Sequence, residues 1–171
     1  MKRIGLIIAT TALAVLATAA VSTAQMGVAV MWEGGGIPSV MALPIMFGEG
    51  MVFQPMAMIN WQGDDGPNPG TQIGLGASFE KQMGDADTKP LFGARAGVSI
   101  VSPKEGDSYT NFSLGVFLGG TAKLGDNLSI VGQWGPDVTI VGEKGSATGK
   151  SYASINSAAS LTLRWWIWGN K

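Results

Sequence analysis

The sequence predicts an all-β protein: an eight-stranded antiparallel up-and-down membrane β-barrel behind a cleaved signal peptide. Three observations predict it. Charged residues are only 13% of the chain, against about 25% in a typical globular protein. Beyond Val21 there is no long apolar run, so no further membrane helix is available. The hydrophobic residues instead fall on alternate positions over many segments, the spacing that puts side chains on one face of a strand.

The N-terminal segment comes first. Lys2 and Arg3 precede an uncharged apolar stretch from Ile4 to Val21, and Ser22-Thr23-Ala24 places small residues at a cleavage site. This pattern assigns 1–24 to a signal peptide and 25–171 to one barrel domain. The rival for this segment is an uncleaved membrane anchor.

Strands are expected over 26–33, 39–48, 51–61, 71–82, 89–101, 109–123, 127–142 and 151–168. The alternation is cleanest in the middle. Ile73, Leu75, Ala77 and Phe79 oppose Gln72, Gly74, Gly76, Ser78 and Glu80. Phe92, Ala94, Ala96, Val98 and Ile100 oppose Gly93, Arg95, Gly97 and Ser99; Phe112, Leu114, Val116 and Leu118 oppose Asn111, Ser113, Gly115 and Gly119. Helical spacing would scatter these residues around a cylinder. Gly34-Gly35-Gly36, Gly48-Glu49-Gly50, the stretch 63–70 and Gly125-Asp126-Asn127 supply turn chemistry between strands. Tight turns after the second and sixth strands alternate with longer connectors after the third, fifth and seventh, although 83–88 is longer than this alternation wants. The second hairpin is the weakest element, because Pro44 and Pro55 each remove a ladder donor and a bulge or poorly paired stretch is expected. Gly135-Pro136 leaves the register of the seventh strand open beyond it.

The apolar face of each strand carries no charge, as a lipid-facing surface requires: one Lys or Arg at the bilayer midplane costs about 2–4 kcal/mol. Aromatic girdles follow, with Trp32, Trp61 and Phe112 near the outer strand ends and Phe47, Phe53, Phe79, Phe92 and Trp165 near the inner ends. The same strand parity points Glu80, Arg95, Lys123, Arg164, Gln72, Gln133 and Thr162 into the barrel. Glu80 and Arg95, on neighbouring strands, are the expected ion pair; Arg164 closes the ring above Trp166 and Trp168, and the cluster is expected to plug the lumen. A soluble barrel with the apolar face inward is the alternative, and it requires an outer face rich in Lys and Glu.

The signal peptide, the meander, and segments such as Ala42-Leu43-Pro44-Ile45-Met46-Phe47-Gly48 and Gly93-Ala94-Arg95-Ala96-Gly97 resemble the small eight-stranded outer-membrane barrels of the OmpA/OmpX type. The resemblance covers most of the chain after the signal peptide. It implies residence in a bacterial outer membrane, contact with its lipid, and handling by the barrel-assembly machinery. Family members usually end on an aromatic residue; here Gly169-Asn170-Lys171 follows Trp168, which departs from that pattern. Some family barrels are lipid-A-modifying enzymes built on His-containing catalytic sets, and this chain has no His.

The chemistry classes narrow accordingly. Without His or Cys there is no Ser-His-Asp triad, thiolate metal site or disulfide framework. Gly145 to Ser151 looks like a phosphate loop but is one residue short, and a strand follows where a helix is needed. Asp64-Asp65 and the Asp85/Asp87 pair lack calcium-loop spacing. No catalytic, cofactor-binding or metal residue is assigned, and no cofactor or nucleic-acid partner is expected. The expected function is structural, adhesive or partner-binding, non-catalytic, through loops at 34–38, 62–70, 102–108 and 143–150. A small-solute or apolar-molecule pore and a soluble periplasmic binding barrel are the alternatives.

Overall fold

The computed structural model describes residues 24–33, 40–62, 70–143 and 149–168. The expected signal peptide lies outside them, apart from Ala24. So do 34–38, 63–69 and 144–148 of three expected loops, and 39 of the second expected strand.

Every described element is a strand: β1 (Gln25–Glu33), β2 (Val40–Ala42), β3 (Ile45–Phe47), β4 (Met51–Gln62), β5 (Gly70–Gln82), β6 (Thr88–Pro103), β7 (Tyr109–Lys123), β8 (Leu128–Val141) and β9 (Tyr152–Trp168). All pairings are antiparallel, consecutive strands pair from β4 to β9, and β9 returns to pair with β1. β2 and β3 both lie between β1 and β4, so they are two halves of one wall strand. The result is a closed eight-stranded barrel without a free edge.

The interruption falls at Leu43-Pro44, inside the hairpin the prolines mark as weak. The wall stays sealed there, because Leu43 N–H donates to the Pro55 carbonyl and Gly27 N–H to the Pro44 carbonyl, both at 3.0 Å. At the other doubtful point, Leu118 pairs with Trp134 and Gly115 with Asp137, so one register holds on both sides of Gly135-Pro136. Pro136 has no N–H to give. Gly135 tolerates the close approach there because any Cβ would collide with the Val116 carbonyl.

At one end, called the lower end here, sit the strand termini Gln25 and Trp168 and the connections 48–50, 83–87 and 124–127. Gly48 and Gly50 have φ of 55° and 72°, the left-handed region that β-carbon sterics close to most residues. The longer 83–87 bend is tied down by Met83 N–H to the Pro90 carbonyl at 2.9 Å and Lys123 N–H to the Asp87 carbonyl at 2.8 Å.

The faces are set by parity. Met41, Ile59, Leu75, Leu114, Leu118 and Trp165 are exposed on the outer surface, while Val52, Glu80, Val131, Thr162 and Arg164 are fully buried inside. The soluble alternative requires the reverse. Of the girdle residues, Phe79, Phe92, Phe112 and Trp165 are exposed outward, and the Phe47 and Phe79 rings meet at 6.1 Å. Phe53 pairs with Phe79 and is half-buried, as is Trp32. The Trp61 side chain lies outside the described residues.

Candidate functional site: the barrel lumen

The lumen divides into two levels. The lower level is solid. Glu80, on the inward face of β5, receives both terminal nitrogens of Arg164 from β9, Nη1 to Oε1 at 2.5 Å and Nη2 to Oε2 at 2.7 Å. Gln82 and Gln133 each donate to the same carboxylate at 3.0 Å, and Arg164 Nε donates to Gln54 Oε1 at 3.0 Å. A carboxylate has about four acceptor positions, and all four here are used. Both charges have no solvent exposure. A buried ion pair is tolerable only when such hydrogen bonds complete it.

Apolar side chains fill the space beside this network. Leu91, Phe117 and Val131 form a buried cluster. Phe117 pairs across the sheet with Gly93, and its ring lies where a Cβ at Gly93 would stand. Phe117 lies among the glycines of β7, and its parity with Gly115 and Gly119 turns it inward.

The upper level is hollow. A cavity of about 410 Å³ is floored by a second ion pair, Arg95 to Asp137, with Nε to Oδ1 at 2.9 Å and Nη2 to Oδ2 at 2.5 Å. Arg95 of β6 and Asp137 of β8 stand at the same register level as Gly115 of β7 between them. Any Cβ at Gly115 would overlap the Asp137 carboxylate, so the glycine is the gap through which the pair meets. The pair is 13% and 16% exposed, in contrast to the sealed pair below. Gln72 Nε2 donates to Ser99 Oγ at 3.0 Å in this cavity.

The expected interior cluster is therefore split. Glu80, Arg164 and Gln133 come together; Arg95 and Gln72 belong to the upper cavity. Lys123 is exposed at the lower rim, beside a vestibule of about 450 Å³ that Asp85, Asp87 and Asp126 also line. The expected Glu80–Arg95 pair is corrected: Glu80 binds Arg164 and Arg95 binds Asp137. The physical reason is stagger. Arg95 stands level with Ser78, while Glu80 stands level with Gly93, so Glu80 meets Arg164 across the lumen and Arg95 meets Asp137 over Gly115 at its own level. Trp166 donates its indole N–H to Ser129 Oγ at 3.3 Å at the lower end; the Trp168 side chain is outside the described residues.

Sequence reasoning missed Gln54, Gln82 and Asp137. Parity with Val52 and Glu80 would have found the two glutamines. Asp137 was hidden by the doubt about register past Gly135-Pro136.

No family model matches the chain, and no curated protein matches it. Among solved structures it is similar to Neisserial surface protein A, with a TM-score of 0.56 at 16% identity, covering 84% of this chain and 96% of that one. That likeness shows a common fold, the closed eight-stranded antiparallel barrel.

Proposed function

We propose that this chain is a bacterial outer-membrane barrel, delivered by a signal peptide over 1–24 and inserted by the barrel-assembly machinery. In this reading it is non-catalytic and serves a structural, adhesive or partner-binding role through its surface loops. The observation that carries the reading is the outer face. Exposed Val, Ile, Leu, Met, Phe and Trp recur at the outward positions of the wall strands, and among the described residues the outward lysine, Lys81, lies at the lower end and donates to the Glu49 carbonyl. An apolar surface of this extent would not stay dispersed in water, and lipid is the solvent that fits it. The common fold with a protein named as a surface protein adds support.

A pore reading needs a continuous lumen, and the buried Glu80–Arg164 level argues against one. Purified protein in a planar bilayer is expected to give no steady ohmic conductance; a stable open channel would move the pore reading ahead.

The membrane reading is tested at Ala94 and Gly97, which face outward and inward. Spin labels held in the lipid phase should reach position 94 and miss position 97. Ala94→Arg should impair insertion by about 2–4 kcal/mol. The opposite accessibility would sink the reading.

A further inference from the structure

We propose that the upper lumen is a binding cup for a neutral, hydroxyl-rich small molecule of monosaccharide to disaccharide size. Its opening toward the cell exterior rests on the membrane reading above; the site itself does not.

On β5 and β6 the inward positions shrink to Gly74, Gly76 and Gly97, so one wall is backbone. The same strands carry Glu80 and Leu91 lower down, where the lumen is filled. On the neighbouring β4, Met56 and Met58 are the cross-strand partners of Gly76 and Gly74 and lay their methyl ends over those glycines. The space is about 410 Å³, within the range of small-molecule pockets. It ends on the Arg95–Asp137 pair and the packed level beneath, so it is a cup and not a passage.

The two charges in the wall, Arg95 and Asp137, neutralise one another. A ligand with net charge would be drawn into a narrow space without a counterion, which is costly. What remains is a set of groups that both donate and accept: the amides of Asn60, Gln72 and Asn111 and the hydroxyls of Ser99, Ser113 and Thr139. A ligand hydroxyl can donate to the amide and hydroxyl oxygens of this set that face the cavity and accept from their N–H and O–H groups. The Met56 and Met58 methyls give the C–H face of a sugar an apolar surface.

The test uses the chain refolded in detergent micelles with ¹³C-methyl methionine. Glucose, maltose, trehalose and sorbitol are titrated separately, with glucose 6-phosphate as the charged counterpart and maltoheptaose as a chain-end source of the same sugar. At least one neutral compound should shift the Met56 and Met58 methyls saturably in the millimolar range or below, while Met41 on the outer face stays still. Ser113→Leu, which places a side chain into the open cup, should weaken that response at least about tenfold, one decade in Kd, while the far-UV circular dichroism stays that of the parent barrel. An equal response to maltoheptaose identifies a glycan end as the source; a response to the small sugars alone identifies a free solute. The proposal is overturned if no neutral compound shifts both methyls, if glucose 6-phosphate does so as well as the best sugar, or if Ser113→Leu responds like the parent. A failed membrane reading would leave these outcomes unchanged.

Discussion

The lumen is solid at the level of Glu80 and Arg164 and hollow above it, although the same strands line both. The difference lies in the inward residues. Low on β5, β6 and β7 these are Glu80, Leu91 and Phe117; higher up they are Gly76, Gly97 and Ser113. The two ion pairs follow the same division. Glu80–Arg164 has no exposure and is completed by three glutamines, while Arg95–Asp137 borders the cavity. In a narrow barrel, inward side-chain volume decides where water can reach, and water decides how completely a charge must be partnered.

The largest break in this comparison is expected at Arg164. Arg164→Ala strands the Glu80 carboxylate, and removing one partner of a buried pair costs about 3–5 kcal/mol. Urea unfolding in micelles, followed by tryptophan fluorescence, should read that loss. A loss below that of Arg95→Ala would mean the lower level is as wet as the upper.

Gly93→Ala should come next. Its methyl would collide with the Phe117 ring and the Phe79 carbonyl, and overpacking of this kind costs about 1–3 kcal/mol. The same unfolding assay should show relief when Phe117 is shortened to Leu in the same chain.

The upper pair should give smaller losses. Arg95→Ala and Gly115→Ala both undo the Arg95–Asp137 contact, and each is expected to fall between an exposed pair's loss of about 1 kcal/mol or less and the buried value. They act on one interaction, so a double-mutant cycle should be clearly non-additive. Additive losses would show that Gly115 serves something other than the bridge. Lys150→Ala, in an exposed connector, should change stability by no more than about 0.5 kcal/mol.

Much of this was legible in the chain itself. Alternation located each of the eight wall strands to within a few residues, because a strand with one face in a different solvent must change polarity every residue. The same parity sent Glu80, Arg164 and Gln133 inward without any knowledge of their neighbours. The prolines marked where the second wall strand would break into β2 and β3, since a missing N–H is a local fact.

What parity could not give was depth and reach. It assigns a side chain to the lumen but not to a level, and so it merged Gln72 and Arg95 with Glu80 and carried Lys123 in from the rim. Partner choice depended on barrel closure, which brings Arg164 to Glu80 across 84 residues of sequence, and on stagger, which sets Arg95, Gly115 and Asp137 in one line over three strands. The sequence by itself determined which residues face in and which face out. Only the tertiary structure decided which inward residues meet, because side chains in a narrow closed barrel interact across the lumen and between non-adjacent strands, at distances that register and closure alone define.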